Sequence, residues 1–153
     1  MNAFTVIRPA LPADEARLLA MMRLFYGGER LPFDETRAHR ILDELTDPNA
    51  YGFLNVIEVR AETAGYVLVS WGYSAEHGGP YLLVDELYVE AAHRGRGVGR
   101  AALDFVARLA RERGTPVIKL EVSDHNPDAA KLYLRAGFTD EKRRVLVRRL
   151  PAG

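Results

Sequence analysis

No cysteine occurs among the 153 residues, which removes disulfides, thiolate nucleophiles and cysteine-bearing zinc sites together. Nor is there a surplus of charge: 21 Lys and Arg balance 21 Asp and Glu. The chain as a whole therefore lacks the basic excess that holds proteins to phosphate backbones, and any anion site has to be local. No apolar run approaches the ~20 residues of a membrane-spanning helix. Residues 1–8 also lack the basic-then-apolar layout of a secretion signal, so no membrane partner and a cytoplasmic location are expected. The four histidines, His39, His77, His93 and His125, include no pair at i, i+4, and no metal site is expected from them. Repeats, linkers and low-complexity tracts are missing too, and the length suits one domain, residues 1–153.

What is present is a succession of textures. Residues 3–7 are apolar and partly β-branched, and Pro9 and Pro12 close that strand. Residues 13–26 carry Ala16, Leu19, Ala20, Met22 and Phe25 at helical spacing, with Gly27-Gly28 as the stop. A second helix over 34–45 takes Asp34 as its N-cap. Residues 51–73 predict two antiparallel strands with a turn near 61–65, and Trp71, Tyr66 and Tyr73 read as sheet core. Gly78-Gly79-Pro80 breaks the chain before a strand over 81–89, which sets two acids, Asp85 and Glu86, in an apolar run. A helix over 97–113 closes at Gly114, a strand follows over 116–122, and a helix over 127–136 closes at Gly137. Residues 138–150 supply one or two last strands. The order β-α-α-β-β-β-α-β-α-β is mixed α/β, and its strand-helix-strand unit over 81–122 should be parallel.

Arg94-Gly95-Arg96-Gly97-Val98-Gly99-Arg100 follows a strand and leads straight into a helix. The free N–H groups of a helix N-terminus make an anion site, and glycines let phosphate oxygens approach without a Cβ in the way. A diphosphate is the ligand this suggests. On the loop alone, a glycine turn with solvated arginines explains the residues as well. The Gly-Lys-Ser/Thr of a Walker loop is absent, and the spacing does not fit the G-x-G-x-x-G of a dinucleotide fold.

Further along, R-G-R-G-V-G resembles the R/Q-x-x-G-x-G/A signature of the GNAT superfamily of acetyltransferases. The sequence Asp85-Glu86-Leu87-Tyr88-Val89 resembles that superfamily's fourth strand. Its last helix and turn are matched by Asn126, Ala129, Leu132, Tyr133, Gly137 and Phe138, and its first strand by Ile7-Arg8-Pro9-Ala10. The resemblance implies a single-domain fold with a mixed sheet of six to seven strands, splayed between strands four and five, and about four flanking helices. It also implies that acetyl-CoA enters between residues 81–90 and 116–122. Leu87, Tyr88 and Val89 would bond its pantetheine arm. Arg94, Gly95, Arg96, Gly97, Val98, Gly99 and Arg100 would take the pyrophosphate, with Asn126 and Tyr133 also on the cofactor. Relatives that dimerise through C-terminal strands point to residues 142–150 as a homodimer contact.

Acyl transfer to an amine needs a neutral nucleophile, whereas alkyl amines titrate near ~10.4, so a base is required. Glu86 and Glu121 rank together for that role, with Asp85 behind. Neighbouring strand residues face opposite ways, so Asp85 and Glu86 share the cleft only if a bulge intervenes. Each acid taken singly is equally well a surface carboxylate beside an arginine. Tyr133, placed by the resemblance, is the proton donor to the departing sulfur; on helical spacing alone it is an apolar-face residue. Glu29, Asp34, Glu35, Glu76, Asp85 and Glu86 could together form an acidic mouth, with Glu29, Asp85 and Glu86 as the acceptor contacts. The expected acceptor is a small cationic amine or polyamine. The alternatives are a peptide or ribosomal-protein N-terminal or lysine acetyltransferase, for which Glu121 is the better base, and a catalytically silent CoA-binding regulatory module. Nucleic-acid binding through Arg94, Arg96 and Arg100 ranks last.

Overall fold

The computed structural model describes residues 4–152; Ala3, the expected first residue of the opening strand, lies outside them. Five strands form one sheet in the order β1-β2-β3-β4-β5. They are β1 (Thr5–Pro9), β2 (Gly52–Val59), β3 (Glu62–Ser74), β4 (Gly79–Val89) and β5 (Ile118–Leu120). Neighbours are antiparallel except β4 and β5, which run parallel as the sequence suggests. The helices are α1 (Glu15–Gly28), α2 (Glu35–Thr46), α3 (Val98–Glu112) and α4 (Pro127–Arg135).

Strands β2 and β3 are buried on both faces over residues 52–57 and 64–69, which is why they read as unbroken apolar runs rather than alternating ones. Leu54, Val56, Tyr66 and Leu68 pack under α1 and α2 against Leu18, Met21, Met22, Leu42 and Leu45. Phe53, Val67 and Val69 face the other way, onto Val106 and Ala110 of α3. The sheet is thus the middle of three layers, and α1 and α2 share one side of it.

Several sequence expectations are corrected. Strand β1 runs through Pro9, opposite Asn55; an edge strand tolerates the missing N–H. Gly27 and Gly28 lie inside α1, which closes where the Glu29 N–H donates to the Phe25 carbonyl at 2.9 Å. Glycine weakens a helix by only about 1 kcal/mol and does not forbid it. The β2–β3 turn is Arg60-Ala61, both left-handed at φ 52° and 65°, the two-residue hairpin geometry. Tyr73 is 80% exposed and no part of the core. Among the described residues the sheet has five strands, not six to seven: β5 is three residues long, and residues 139–152 are exposed and without regular structure. The Asp34 cap is as expected, its carboxylate accepting the Arg37 N–H at 3.0 Å.

Candidate active site

Leu68 pairs with Glu86 and Val69 with Val84, so Asp85 is an extra residue with no partner on β3. A bulge of this kind reverses the facing of everything beyond it. Before it, Leu82 and Val84 pack toward α3; after it, Tyr88 packs under α1 and Glu86 is bonded from that side. The condition for Asp85 and Glu86 to share one cleft is therefore met, and both line it.

The parallel ladder stops at the same place. Strand β4 pairs with β5 only through Leu82, Leu83 and Val84, opposite Ile118, Lys119 and Leu120. Beyond Val84, β4 continues to Val89 held by β3 alone. The β5-facing edge of residues 85–88 is open backbone, able to accept an extended, amide-bearing ligand as another strand, and at its end the Val89 carbonyl is covered by Arg94. The parting of strands four and five that the resemblance implies is present beyond Val84 and Leu120, with Leu87, Tyr88 and Val89 along it.

The glycine–arginine loop closes that edge. Gly95 and Gly97 adopt φ of 71° and 79°, and Gly97 is the N-cap of α3. The first helical bond runs from the Ala101 N–H to the Gly97 carbonyl at 3.0 Å, so the N–H groups of Val98, Gly99 and Arg100 have no acceptor within the helix. A Cβ at Gly95 or Gly97 would meet nothing within 4 Å, so the loop borders open space. Gly99 differs, since a Cβ there would stand 2.9 Å from Leu132 of α4. The arginines divide in the same way. Arg94 donates to the Val89 carbonyl at 2.8 Å and lies over the Tyr88 ring. Arg100 is bound to Asp104 at 3.0 Å and to the Arg135 carbonyl at 3.1 Å. Arg96 has no ion-pair or hydrogen-bond partner among the described residues. The open edge, the clear space at Gly95 and Gly97 and the unpaired N–H groups fit a coenzyme A diphosphate and pantetheine.

The three acids differ sharply. Glu86 is 7% exposed and accepts from the Tyr66 hydroxyl at 2.8 Å and the Tyr26 hydroxyl at 3.1 Å. Burial pushes its carboxyl above the usual range, against the pull of both phenols. The same burial and the Glu86 charge push the Tyr26 and Tyr66 phenols upward, so both keep their protons to donate. Asp85 is exposed at the mouth of the cleft; the protein mass around it, and secondarily the Glu121 carboxylate, still raise its carboxyl, by less than full burial would. Glu121 is exposed just past the end of β5. The cleft between α1, α2 and β4 holds about 290 Å³, with Tyr26, Phe33, Arg37, Glu44, Asp85 and Glu86 in its wall. A wider, shallower hollow of about 380 Å³ at Arg17, Glu62, Glu90 and His93 contains none of these acids.

Opposite, Asn126 caps α4, accepting from the Ala129 N–H at 3.2 Å, and donates to Glu29 at 3.2 Å. The His125 ring also approaches Glu29, at 4.0 Å, and Ser123 at 2.5 Å. Glu29 thus ties the end of α1 to the start of α4. Tyr133 is half-buried, edge-on to Phe138 at 6.1 Å, and burial and then Glu29 raise its phenol, so it is protonated at neutral pH. The expected acidic mouth is smaller than the sequence suggests. Glu35 pairs with Arg23 at 2.6 Å and Glu76 with Arg143 at 2.8 Å, and Glu29, an expected acceptor contact, is held by Asn126 and His125 outside the cleft wall; that leaves Asp34, Asp85 and Glu86, joined by Glu44. Tyr26, Arg37 and Glu44 were missed, and only their positions on amphipathic helices could have hinted at them.

A parallel strand pair that parts at a bulged carboxylate, next to a glycine loop opening a helix, defines an acyltransferase fed by a coenzyme A thioester. Residues 18–138 match the acetyltransferase (GNAT) family, and the chain belongs to it. It is an acetyltransferase with acetyl-CoA as co-substrate. The Streptomyces lavendulae streptothricin acetyltransferase is 39% identical over 77 residues, spanning 50% of this chain and 39% of that protein. The Bos taurus thialysine N-epsilon-acetyltransferase is 28% identical over 151 residues, 90% of this chain and 86% of that one. An integron cassette protein from the Cole Harbour Salt Marsh metagenome superposes with a TM-score of 0.82 at 28% identity, covering 96% of this chain and 91% of that one.

Proposed function

We propose that the protein moves the acetyl group of acetyl-CoA directly to the primary amine of a small cationic acceptor, of polyamine or lysine-like character, that enters the cleft between α1, α2 and β4. The observation that carries this reading is the coincidence of the ladder's end at Val84 with the bulged Asp85. Open backbone for the pantetheine and carboxylates for an ammonium meet at one point. Two relatives are named for acetylating amine-bearing small molecules, thialysine and streptothricin, and the cleft volume lies at the small end of ligand sites, about 300 Å³ and upward.

Acetyl-CoA supplies an activated acyl group; the chain's residues do the rest. Asp85 takes the proton of the incoming ammonium, because its carboxylate has no hydrogen-bond partner among the described residues and its raised pKa brings it nearer that of the amine. Glu121 stands by to hold or pass that proton on. Glu86, with both oxygens committed to tyrosines, supplies negative potential rather than proton transfer. Leu87, Tyr88 and Val89 align the acyl donor, and the N–H groups of residues 95–100 with Arg96 hold the diphosphate. Tyr133 gives a proton to the departing thiolate and regains one from the second proton that the nitrogen sheds as the amide forms, so that the net proton leaves through Asp85. The test is release of free thiol from acetyl-CoA over pooled polyamines, amino acids, aminoglycosides and peptides. Turnover confined to peptides would displace the small-amine reading, and tight acetyl-CoA binding without any turnover would replace it with a silent CoA-binding module.

The tail supports a homodimer. Val145, Leu146, Val147 and Leu150 are 63–90% exposed, and the outer edge of β5 has no neighbour in the sheet, so a second copy's tail has an edge to extend. Removing residues 142–153 should convert a dimer to a monomer in light scattering; an unchanged mass would argue against it.

A further inference from the structure

The acceptor cleft is not uniformly acidic. Asp34, Glu44, Asp85 and Glu86 share its wall with one cation, Arg37. Arg17, Arg23, Arg40, Arg100 and Arg143 each lie within 4.0 Å of a carboxylate oxygen. Arg37, like the arginines outside such pairs, lies that close to none among the described residues, and it is the one that lines this acid-bearing cleft. Its backbone is fixed, since its N–H is the donor to the Asp34 cap. It shares the cleft wall with Tyr26, the group that bonds Glu86.

We infer that Arg37 is the receptor for a carboxylate on the acceptor, so that the substrate class is an amino acid bearing a side-chain amine rather than a diamine or polyamine. The argument is one of charge and placement. Asp85 and Glu86 belong to the sheet wall; on the α2 wall Arg37 stands with Asp34 and Glu44, and the apolar Met22, Phe33 and Leu68 also line the space. A molecule that runs from Asp85 and Glu86 to Arg37 therefore presents an ammonium at one end, an aliphatic stretch in the middle and an anion at the other end. A guanidinium meets a carboxylate through two parallel N–H donors, which fixes orientation as well as position. A polyamine would instead bring a second ammonium up to Arg37, and like charges at close range disfavour it. The inference rests on the small-amine acetyltransferase reading and narrows the acceptor within it.

The test compares acceptors that differ only by the carboxylate: L-lysine with cadaverine, and L-ornithine with putrescine, at fixed acetyl-CoA and low salt. The wild-type chain should favour the amino acid of each pair in kcat/KM by roughly tenfold or more, as one charge-assisted contact provides. Arg37→Ala should bring that ratio close to one, mainly through KM for the amino acid. Arg37→Lys should keep part of it, and Arg37→Glu should turn the preference toward the diamine. Circular dichroism and acetyl-CoA affinity of each variant show that fold and donor site are intact. A ratio that Arg37→Ala leaves unchanged, or a wild-type preference for the diamine, overturns the inference while the acetyltransferase reading stands. Absence of thiol release with all four acceptors, despite acetyl-CoA binding, overturns the inference together with the small-amine reading it rests on.

Discussion

Replacing Tyr66 with Phe removes one oxygen and nothing else, and its consequences can be worked from the geometry of Glu86. The Tyr66 hydroxyl donates at 2.8 Å to a carboxylate in a residue 7% exposed, and water has little access to replace it. A hydrogen bond to a charged group is worth about 1.5–3 kcal/mol, which for a domain of this size shifts Tm by about 2–4 °C per kcal/mol. The loss should depend on pH. Burial holds the Glu86 pKa above its ordinary 4.5, so the stability from keeping it neutral is fully present below that value and is lost as pH rises through the raised folded-state value. The phenol offsets part of that loss by favouring the ionised form. Tyr66→Phe should therefore cost more at pH 8 than at pH 4.5. Urea denaturation of wild type, Tyr66→Phe, Glu86→Gln and the double variant at both pH values measures the coupling, expected at about 1–3 kcal/mol at pH 8. An additive cycle, or a cost for Tyr66→Phe that is equal at the two pH values, would refute the assignment of Tyr66 as the donor to an ionisable Glu86.

Asp85→Asn should lower kcat by about 100-fold or more. In the wild type the acid limb of kcat/KM should fall at a pH above the ordinary aspartate value of 3.8, because the base must be unprotonated and its pKa is raised; a limb that persists in the variant moves the role to Glu121. Tyr133→Phe should cut kcat by roughly 100-fold and leave the acetyl-CoA Kd within about twofold, and wild-type turnover would remove Tyr133 from the mechanism. Gly97→Val should weaken acetyl-CoA binding in calorimetry by about tenfold or more, since φ of 79° is strained for a β-branched residue and the new side chain enters the ligand's space. Gly99→Val should in addition lower Tm, because its Cβ meets Leu132 at 2.9 Å. If Gly97→Val and wild type bind acetyl-CoA equally, the loop is not the diphosphate site.

What the sequence disclosed follows from where each signal is local. The Asp34 cap, the left-handed Gly114 and Gly137 and the helix opening at Gly97 depend on a few adjacent residues and could be read directly. The last strands could not. Val145, Leu146 and Val147 have strand-forming side chains, but strand propensity reflects the surface a residue packs on, and residues 139–152 find none within the described chain. Gly27-Gly28 do mark the end of α1, but as its last two helical residues, because glycine tolerates the helical backbone and the Glu29 N–H still reaches the Phe25 carbonyl. Tyr26 stayed hidden because its role exists only through Glu86, 60 positions away. Arg37 was equally hidden, since one more charge on a polar helix carries no signal until the cleft beside it is seen.

The site depends on a single extra residue in β4. In an unbulged strand, Leu82, Val84, Glu86 and Tyr88 would share one face, and Glu86 would be driven into the Val106 and Ala110 side of the sheet with no donor to meet it. An unpaired carboxylate there costs several kcal/mol. The extra residue at Asp85 turns Glu86 to the α1 side, where Tyr26 and Tyr66 wait, and sets Asp85 itself at the mouth of the cleft. It also explains why the parallel ladder ends there: the added twist of a bulge carries β4 away from a straight β5, and pairing stops at Val84 and Leu120. The same local distortion that opens the β4 backbone therefore also sets both acids in the adjoining cleft. That is a physical reason for two adjacent acids, in place of the alternating pattern of an ordinary strand, to stand in the middle of an apolar run.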